Sequence, residues 1–282
     1  MKRIGIVGQG YVGTAVKEVF SKHYETNTFD LNGNCSCETL DELVINSDII
    51  FVCVPTPMKK DGSCDTGIVE NVVMDINAIA LWEKLEDKIV AIKSTIPPGT
   101  TNKFNKQAEA VTVIFNPEFL TEANFIEDFK NQSRIIIGGV RPATTELRQV
   151  YSVVFPETKI VKTGSKTAEM VKYLTNTFLA TKVSFANEMF QICDELGIDY
   201  DKVVEYSIYD ERLGKSHWAV PGPDGHYGFG GSCFPKDINA LIKVAKKLDI
   251  EPNVLIGAWS TNLDVRPEAD WEELKGRAVV DD

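Results

Sequence analysis

The chain has no apolar run approaching the roughly eighteen residues that a membrane span requires. It also lacks an excess of positive charge: 30 Lys and Arg stand against 41 Asp and Glu, a net charge of −11 over 282 residues. Nucleic acid is therefore not expected as the main partner, because phosphate backbones demand clustered Lys and Arg. A small anionic ligand remains compatible, since a few local positive groups hold one. The N-terminus MKRIGIVGQGYVG does not read as a secretion signal: its apolar stretch is short, is cut by glycines, and no cleavage site follows. Histidine is scarce (His23, His217 and His226), and no second close cysteine pair completes Cys35-Ser36-Cys37. No zinc-type metal site is expected from such spacing. Without a secretion signal the six cysteines (Cys35, Cys37, Cys53, Cys64, Cys193, Cys233) are expected as reduced thiols in a cytoplasmic protein. Internal repeats and low-complexity blocks are absent as well.

What the first half does have is alternation. Strands are expected over 2–7, 26–30, 48–54, 88–93, 111–115, 134–137 and 159–161, with helices over 11–21 and 66–85. The 48–54 run, DIIFVCV, is almost wholly apolar, as in a strand buried on both faces. Strand–helix alternation of this kind implies a parallel sheet covered by helices on both faces. The character changes near Thr163-Gly164-Ser165. From 166 to about 196 there is neither glycine nor proline. Met170, Val171, Leu174, Phe178, Val183, Phe185, Met189, Ile192 and Leu196 mark an apolar stripe near helical period. A helix of about thirty residues spans roughly 45 Å, a length suited to bridging domains or pairing subunits. Gly197 is placed to end it. A Gly/Pro-rich loop follows from 214 to 235, then helices over 237–248 and 252–262. The last twenty residues, with Pro267 and the acidic pair Asp281-Asp282, read as a loosely packed tail.

Gly8-Gln9-Gly10-Tyr11-Val12-Gly13 has the spacing G-x-G-x-x-G, between a strand and a helix. In that setting the first glycine makes the turn, the second admits a pyrophosphate, and the third lets helix pack on strand. The helix N-terminus then offers N–H groups and its dipole to phosphate. Asp30, about twenty residues on, suits the adenosine ribose hydroxyls and would repel a 2′-phosphate, which favours NAD over NADP. The expected fold is therefore α/β: a doubly wound Rossmann domain over 1–163, an all-α central domain with one long helix over 164–262, and a tail over 263–282.

Three polar loops follow expected strands: Pro55-Thr56-Pro57, Ser94-Thr95-Ile96-Pro97-Pro98-Gly99-Thr100, and Asn116-Pro117-Glu118-Phe119-Leu120-Thr121-Glu122. Ligands of open α/β sheets bind beyond the carboxyl ends of strands, so the three are expected to line one cleft. Lys172 and Asn176, four apart, share a helix face. Cys233 stands in GFGGSCFPKD, where glycines free the backbone and a following helix start favours thiolate. Lys236 adds positive charge nearby, and Asp237 is placed either to cap that helix or to move a proton.

These segments (GQGYVG, VPTP, STIPPGT, NPEFLTE, the Lys172–Asn176 helix and GFGGSCFPKD), in this order, resemble the UDP-glucose/GDP-mannose dehydrogenase family. The resemblance implies a four-electron oxidation of a sugar C6 alcohol to a carboxylate with two NAD molecules, on a nucleotide sugar such as UDP-glucose. It implies Cys233 as nucleophile, through a thiohemiacetal and a thioester. Lys172 and Asn176 would stabilise the oxyanion, and Asp237 and Glu118 would handle protons. Thr95 and Glu122 would line the nicotinamide, with Pro55, Thr56, Tyr11, Val12 and Lys236 also on the cofactor side. Phe119, Leu120, Phe229 and Gly230 would contact the sugar, and Arg212 would reach a neighbouring subunit's substrate across a dimer built on the long helix. Family members continue with a third, nucleotide-sugar-binding domain, which is not expected in this short form. The loop between Arg212 and Cys233, with Pro221-Gly222-Pro223-Asp224-Gly225 inside it, is longer than the family pattern leads one to expect. The alternatives are a two-electron NAD-dependent hydroxyacid-type dehydrogenase, and a truncated NAD-binding protein without catalysis.

Overall fold

The structure, a computed structural model, describes residues 2–33 and 35–281, so Asp282 of the terminal acidic pair lies outside it. The chain divides into two compact units, one of residues 1–56 and 66–172, the other of residues 57–65 and 173–282.

The first unit alternates β1 (Ile4–Val7), α1 (Tyr11–Phe20), β2 (Thr26–Phe29), α2 (Leu40–Ile45), β3 (Ile49–Val52), α3 (Gly67–Trp82), β4 (Lys88–Ile92), α4 (Thr100–Gln107), β5 (Val111–Phe115), α5 (Phe125–Lys130), β6 (Arg134–Gly138), α6 (Ala143–Val154) and β7 (Lys159–Thr163). The sheet order is β2-β1-β3-β4-β5-β6-β7. In β3 successive side chains go to opposite cores: Ile49 and Phe51 to one, Ile50 and Val52 to the other. A strand buried on both faces has no polar side to show, which explains its continuous apolar sequence.

The fully parallel sheet expected from the alternation is corrected at its end. β6 runs antiparallel to β5, meeting it at Phe115 and Gly138, and β7 runs parallel to β6. The connection from β5 to β6 holds one helix, α5, of 6 residues. That is about 9 Å of helix, too short to carry the chain back along strands of about 16 Å. Arg134, first in β6, consequently starts at the end where β5 finishes.

Helix α7 (Ser165–Glu195) continues for 31 residues from the first unit into the second. It ends at Gly197, whose φ of +66° suits glycine. Its apolar stripe divides in a way the period alone does not reveal. The inward positions are small or polar, among them Ala180, Ser184, Ala186 and Asn187, whereas Leu174, Phe178, Phe185, Ile192 and Leu196 are exposed. The second unit adds α8 (Tyr200–Ser207), α9 (Phe234–Lys246) and α10 (Asn253–Val265). α8 escaped the sequence reading because it is short and charged; Asp199 caps it by accepting from the Lys202 N–H at 3.2 Å.

The loosely packed tail is also corrected. Trp271 is 1% exposed and meets Trp259 with ring centroids 5.2 Å apart. Met58 N–H donates to the Ala278 carbonyl at 2.8 Å, and Val280 N–H to the Met58 carbonyl at 3.0 Å. A buried indole and a short bridge to residues 57–65 fix a segment whose composition is mostly charged and small.

Candidate active site

The glycine turn separates three steric roles. Gly8 has φ +91°, and a Cβ there would lie 2.5 Å from the Cys53 carbonyl oxygen. A Cβ on Gly13 would lie 1.8 Å from the Gly8 carbonyl oxygen. A Cβ on Gly10 would meet nothing within 4 Å. Gly8 and Gly13 are thus required by the protein's own packing. The space over Gly10, the residue preceding α1, is the cradle a pyrophosphate needs. No side chain caps α1 among the described residues, leaving that end polarised for an anion. The turn lies where the chain reverses sheet direction, between β1 and β3, the usual crevice of open α/β sheets. Asp30 follows β2; its carboxylate accepts from Gln9 N–H at 2.6 Å and Asn32 N–H at 2.8 Å. That locks the acid beside the turn while each oxygen keeps a lone pair for a ribose hydroxyl. Tyr11 is half exposed and packs on Phe125 at 5.1 Å; Val12 is half buried. Beyond β3, Pro55 is exposed and Thr56 buried. These groups fit a dinucleotide.

The loops after β4 and β5 belong to the same unit. Ser94 Oγ donates to the Val54 carbonyl at 2.6 Å, tying the 94–100 loop to the end of β3. Thr95 is buried and Glu122 exposed. Lys172, on α7, donates to the Glu118 carbonyl at 2.7 Å and to Glu118 Oε1 at 3.1 Å; Glu118 Oε2 accepts from Leu120 N–H at 2.6 Å. Burial raises the Glu118 carboxyl, but the Lys172 charge and the Leu120 N–H more than offset it, so the group stands below the usual carboxylate range. Phe119 lies under two cations, the Arg134 guanidinium at 4.2 Å and Lys172 Nζ at 5.4 Å from its centroid.

Three residues here were not singled out from the sequence. Arg134 arrives only because β6 reverses. Glu169 is wholly buried and accepts from Gly99 N–H at 2.5 Å, Thr101 N–H at 2.8 Å and Thr101 Oγ1 at 2.6 Å, capping α4. Its place three residues before Lys172, on the same helix face, was the available signal. Lys93 is buried beneath the 116–122 loop, donating at 3.2 Å to both the carbonyl and the side-chain oxygen of Asn116. Burial pulls it down to about 8.

In the second unit α9 begins at Phe234, three residues earlier than the sequence suggested, with Pro235 in its first turn and Cys233 at the cap position. The proposed capping role of Asp237 is therefore corrected: it lies inside the helix and makes no cap bond. Instead its buried carboxylate accepts from Asn176 Nδ2 at 2.6 Å and from Lys236 Nζ at 2.6 Å. Burial lowers Lys236, but Asp237 and the nearby Cys233 and Cys64 raise it above the ordinary lysine value. Lys236 thus remains a cation at the turn that follows Cys233. Asn262, fully buried, accepts from Phe229 N–H at 2.7 Å and donates to its carbonyl at 3.0 Å. Asn187 accepts from Gly228 N–H at 3.1 Å. A Cβ on Gly228, φ +65°, would lie 2.4 Å from Asn262 Oδ1. The Phe229 ring itself is core, against Trp259 and Phe234. Arg212 is exposed and pairs with Asp210 two residues before it.

The first unit thus carries a glycine turn with its carboxylate at the sheet's reversal point, the pattern of a dinucleotide-binding α/β domain, and the second a cysteine opening a helix beside a buried Asn–Asp–Lys cluster. The chain belongs to the UDP-glucose/GDP-mannose dehydrogenase family: the pattern of the family's NAD binding domain matches residues 26–155 and that of its central domain residues 166–263. The chain is 29% identical over 321 residues to UDP-glucose 6-dehydrogenase AglM of Haloferax volcanii, covering 99% of this chain and 73% of that protein. It is 36% identical over 254 residues to UDP-glucose 6-dehydrogenase of Rickettsia bellii, covering 85% of this chain and 56% of that one. Its fold superposes on a UDP-glucose dehydrogenase from the hyperthermophilic archaeon Pyrobaculum islandicum with a TM-score of 0.86 and 30% identity, covering 97% of this chain and 70% of that structure. No helix among the described residues is long and apolar enough to cross a membrane.

Proposed function

We propose that this chain carries the chemistry of an NAD-dependent nucleotide-sugar 6-dehydrogenase of the UDP-glucose type, oxidising a C6 alcohol to a carboxylate in two stages. The observation that carries this reading is Cys233 at the start of α9, beside a buried cluster in which Asp237 joins Asn176 to Lys236. The Gly8–Gly13 turn and Asp30 would hold NAD, with Thr95 and Glu122 on its nicotinamide side, and the bound cofactor would supply the hydride acceptor for each oxidation. The first stage leaves a C6 aldehyde. The Cys233 thiolate, favoured by the helix start and the Lys236 cation, adds to the aldehyde carbon to give a thiohemiacetal. The second oxidation turns this into a thioester, and water releases the acid and returns the thiol.

Lys172 and Asn176 stabilise the oxygen at C6 as it gains charge. Of the two Asn176 amide N–H groups one is committed to Asp237, and the second serves the oxyanion. Glu118, held ionised by Lys172, takes the proton of the attacking water, while Asp237 handles the proton exchanged at the C6 oxygen. The backbone of Phe119 and Leu120, and of Gly230, faces the sugar, while Phe229, bound by Asn262 through both backbone groups, supports that loop from the core. The exposed apolar stripe of α7 is the interface of a homodimer, and Arg212 reaches the partner's substrate.

The test is NADH release against a panel of nucleotide sugars, with Cys233→Ser alongside. UDP-glucose is expected to give the fastest release, with acid formation abolished in the variant. Equal acid formation by Cys233→Ser overturns the mechanism, and faster turnover of another nucleotide sugar overturns the substrate.

A further inference from the structure

Two features of the second unit stand outside that mechanism: the PGPDG insertion at 221–225 and the packed C-terminal segment. Both meet at one side chain. Arg266, directly after α10, is 3% exposed. Its Nη1 donates to Asp224 Oδ2 at 2.9 Å and to the Tyr227 carbonyl at 3.3 Å; its Nε donates to Asp270 Oδ1 at 2.6 Å. Each acid also holds loop backbone. Asp224 Oδ1 accepts from His226 N–H at 3.1 Å, and Asp270 Oδ2 accepts from Gly231 N–H at 3.3 Å. The insertion closes on itself, with Gly225 N–H on the Gly222 carbonyl at 2.9 Å and Gly222 N–H on the His226 carbonyl at 2.7 Å. A Cβ on Gly230 would lie 2.4 Å from both Arg266 Nη2 and Asp270 Oδ1, so the glycine loop rests directly on this ion triad.

We propose that Arg266 is a positioning residue for Cys233: with Asp224 of the insertion and Asp270 of the C-terminal segment it forms a clamp, buried at its guanidinium, that fixes Gly230 and Gly231, three and two residues before the thiol. The inference rests on the reading of Cys233 as nucleophile. Its physical basis is independent of that reading. The loop 228–231 carries three glycines and is intrinsically loose. A nucleophile must be held within a fraction of an ångström to attack one carbon. Asn262 fixes Phe229 through both its backbone groups, which leaves Gly230 and Gly231 to be fixed by Asp270 and Arg266. Charge-assisted bonds from a planar, permanently charged guanidinium are suited to this, because one side chain addresses two acids and a carbonyl in fixed directions. Burial lowers the tendency of Arg266 to hold its proton, but the two acids more than restore it. The insertion thus acts on the catalytic loop from behind and contacts no substrate in this account.

The experiment uses the full chain with Asp224→Asn, whose side chain is half exposed, and Arg266→Lys as the stronger lesion. Three quantities are read: amide hydrogen exchange of residues 228–232, the rate of Cys233 alkylation by iodoacetamide as a function of pH, and kcat against KM. Loop amides are expected to exchange about tenfold faster in Arg266→Lys, with a smaller change in Asp224→Asn. The pH profile of alkylation should broaden, and kcat should fall with little change in KM for NAD. Folding of the second unit is verified by unchanged exchange in the interior of α9 and α10, and of the first by that of β1 and β3. Should Arg266→Lys fail to fold, Asp224→Asn decides alone. Unchanged loop exchange and unchanged alkylation in folded Asp224→Asn and Arg266→Lys, or in Asp224→Asn alone where only it folds, overturn the clamp. Full acid formation by Cys233→Ser overturns the nucleophile reading instead, and leaves the exchange and alkylation results to judge the clamp separately.

Discussion

Lys172 Nζ holds Glu118 twice, at 2.7 Å through the backbone carbonyl and at 3.1 Å through the carboxylate, with 3% and 10% of the two side chains exposed. One cation thereby fixes both the path of the 116–122 loop and the charge of its acid. Lys172→Met is expected to lower kcat by about 10²–10³-fold, the usual loss for one group that stabilises a developing oxyanion. It also has a pH signature. The folded Glu118 value lies below the unfolded one, so its ionised form contributes stability above the unfolded carboxylate range, lost as pH falls through the folded value. Without Lys172 only the Leu120 N–H and the Lys93 charge oppose the burial cost, and this acid sensitivity should move to higher pH, as followed by urea midpoints from pH 7 to pH 3.

The three glycines of the turn should separate by variant. Gly10→Ala places its methyl in open space and should melt like the wild type while losing NAD affinity, measured by calorimetric titration. Gly13→Ala drives a methyl against the Gly8 carbonyl and should cost about 2 kcal/mol or more in stability before any ligand is added. Loss of stability in Gly10→Ala, or unchanged NAD binding by it, contradicts the assignment of that space to pyrophosphate.

Lys93 gives the same pH sign in a different range. Below about pH 8 the lysine is protonated in folded and unfolded chains alike. Between there and the ordinary lysine value the folded protein has released the proton and the unfolded chain has not, so stability rises with pH. From pH 7.5 to 10 the gain over Lys93→Met should be on the order of 2 kcal/mol. Parallel urea midpoints of the two proteins across that range would remove Lys93 as the source.

The α7 stripe predicts assembly. Leu174 and Phe178 are 61% and 64% exposed on one face of a 31-residue helix. In the proposed homodimer this apolar row is the interface, since rows of that length are seldom left as ordinary surface. Phe178→Glu should convert a dimer to a monomer in light scattering, with the first unit's melting unaffected; a wild type that is already monomeric at high concentration contradicts the interface.

Much of the first unit was legible because it obeys local rules. The Gly8–Gly13 turn, Asp30 and β3 follow from steric need and two-sided burial, and the structure places them accordingly. The reversal of β6 was not legible, because direction depends on how far a connection travels rather than on strand composition. That reversal is why Arg134 came to lie on Phe119 unannounced. Period marked the α7 stripe but could not say which side faced inward: Ala180 and Ser184 pack, while Phe178 does not. Lys93 and Glu169 were missed for a different reason. A buried charge is visible only through partners distant in sequence, here Asn116 and the start of α4. Trp271 and Arg266 likewise turn a charged, proline-bearing end into packed structure through single buried side chains.

The most direct test of the central claim is stoichiometric: NADH formed per sugar acid formed, in wild type and Cys233→Ser, with rapid acid quench to trap enzyme-bound thioester. The account predicts two NADH per acid and a quenchable thioester in the wild type, and neither acid nor thioester in Cys233→Ser. One NADH per sugar oxidised, or full acid formation without the Cys233 thiol, would contradict it.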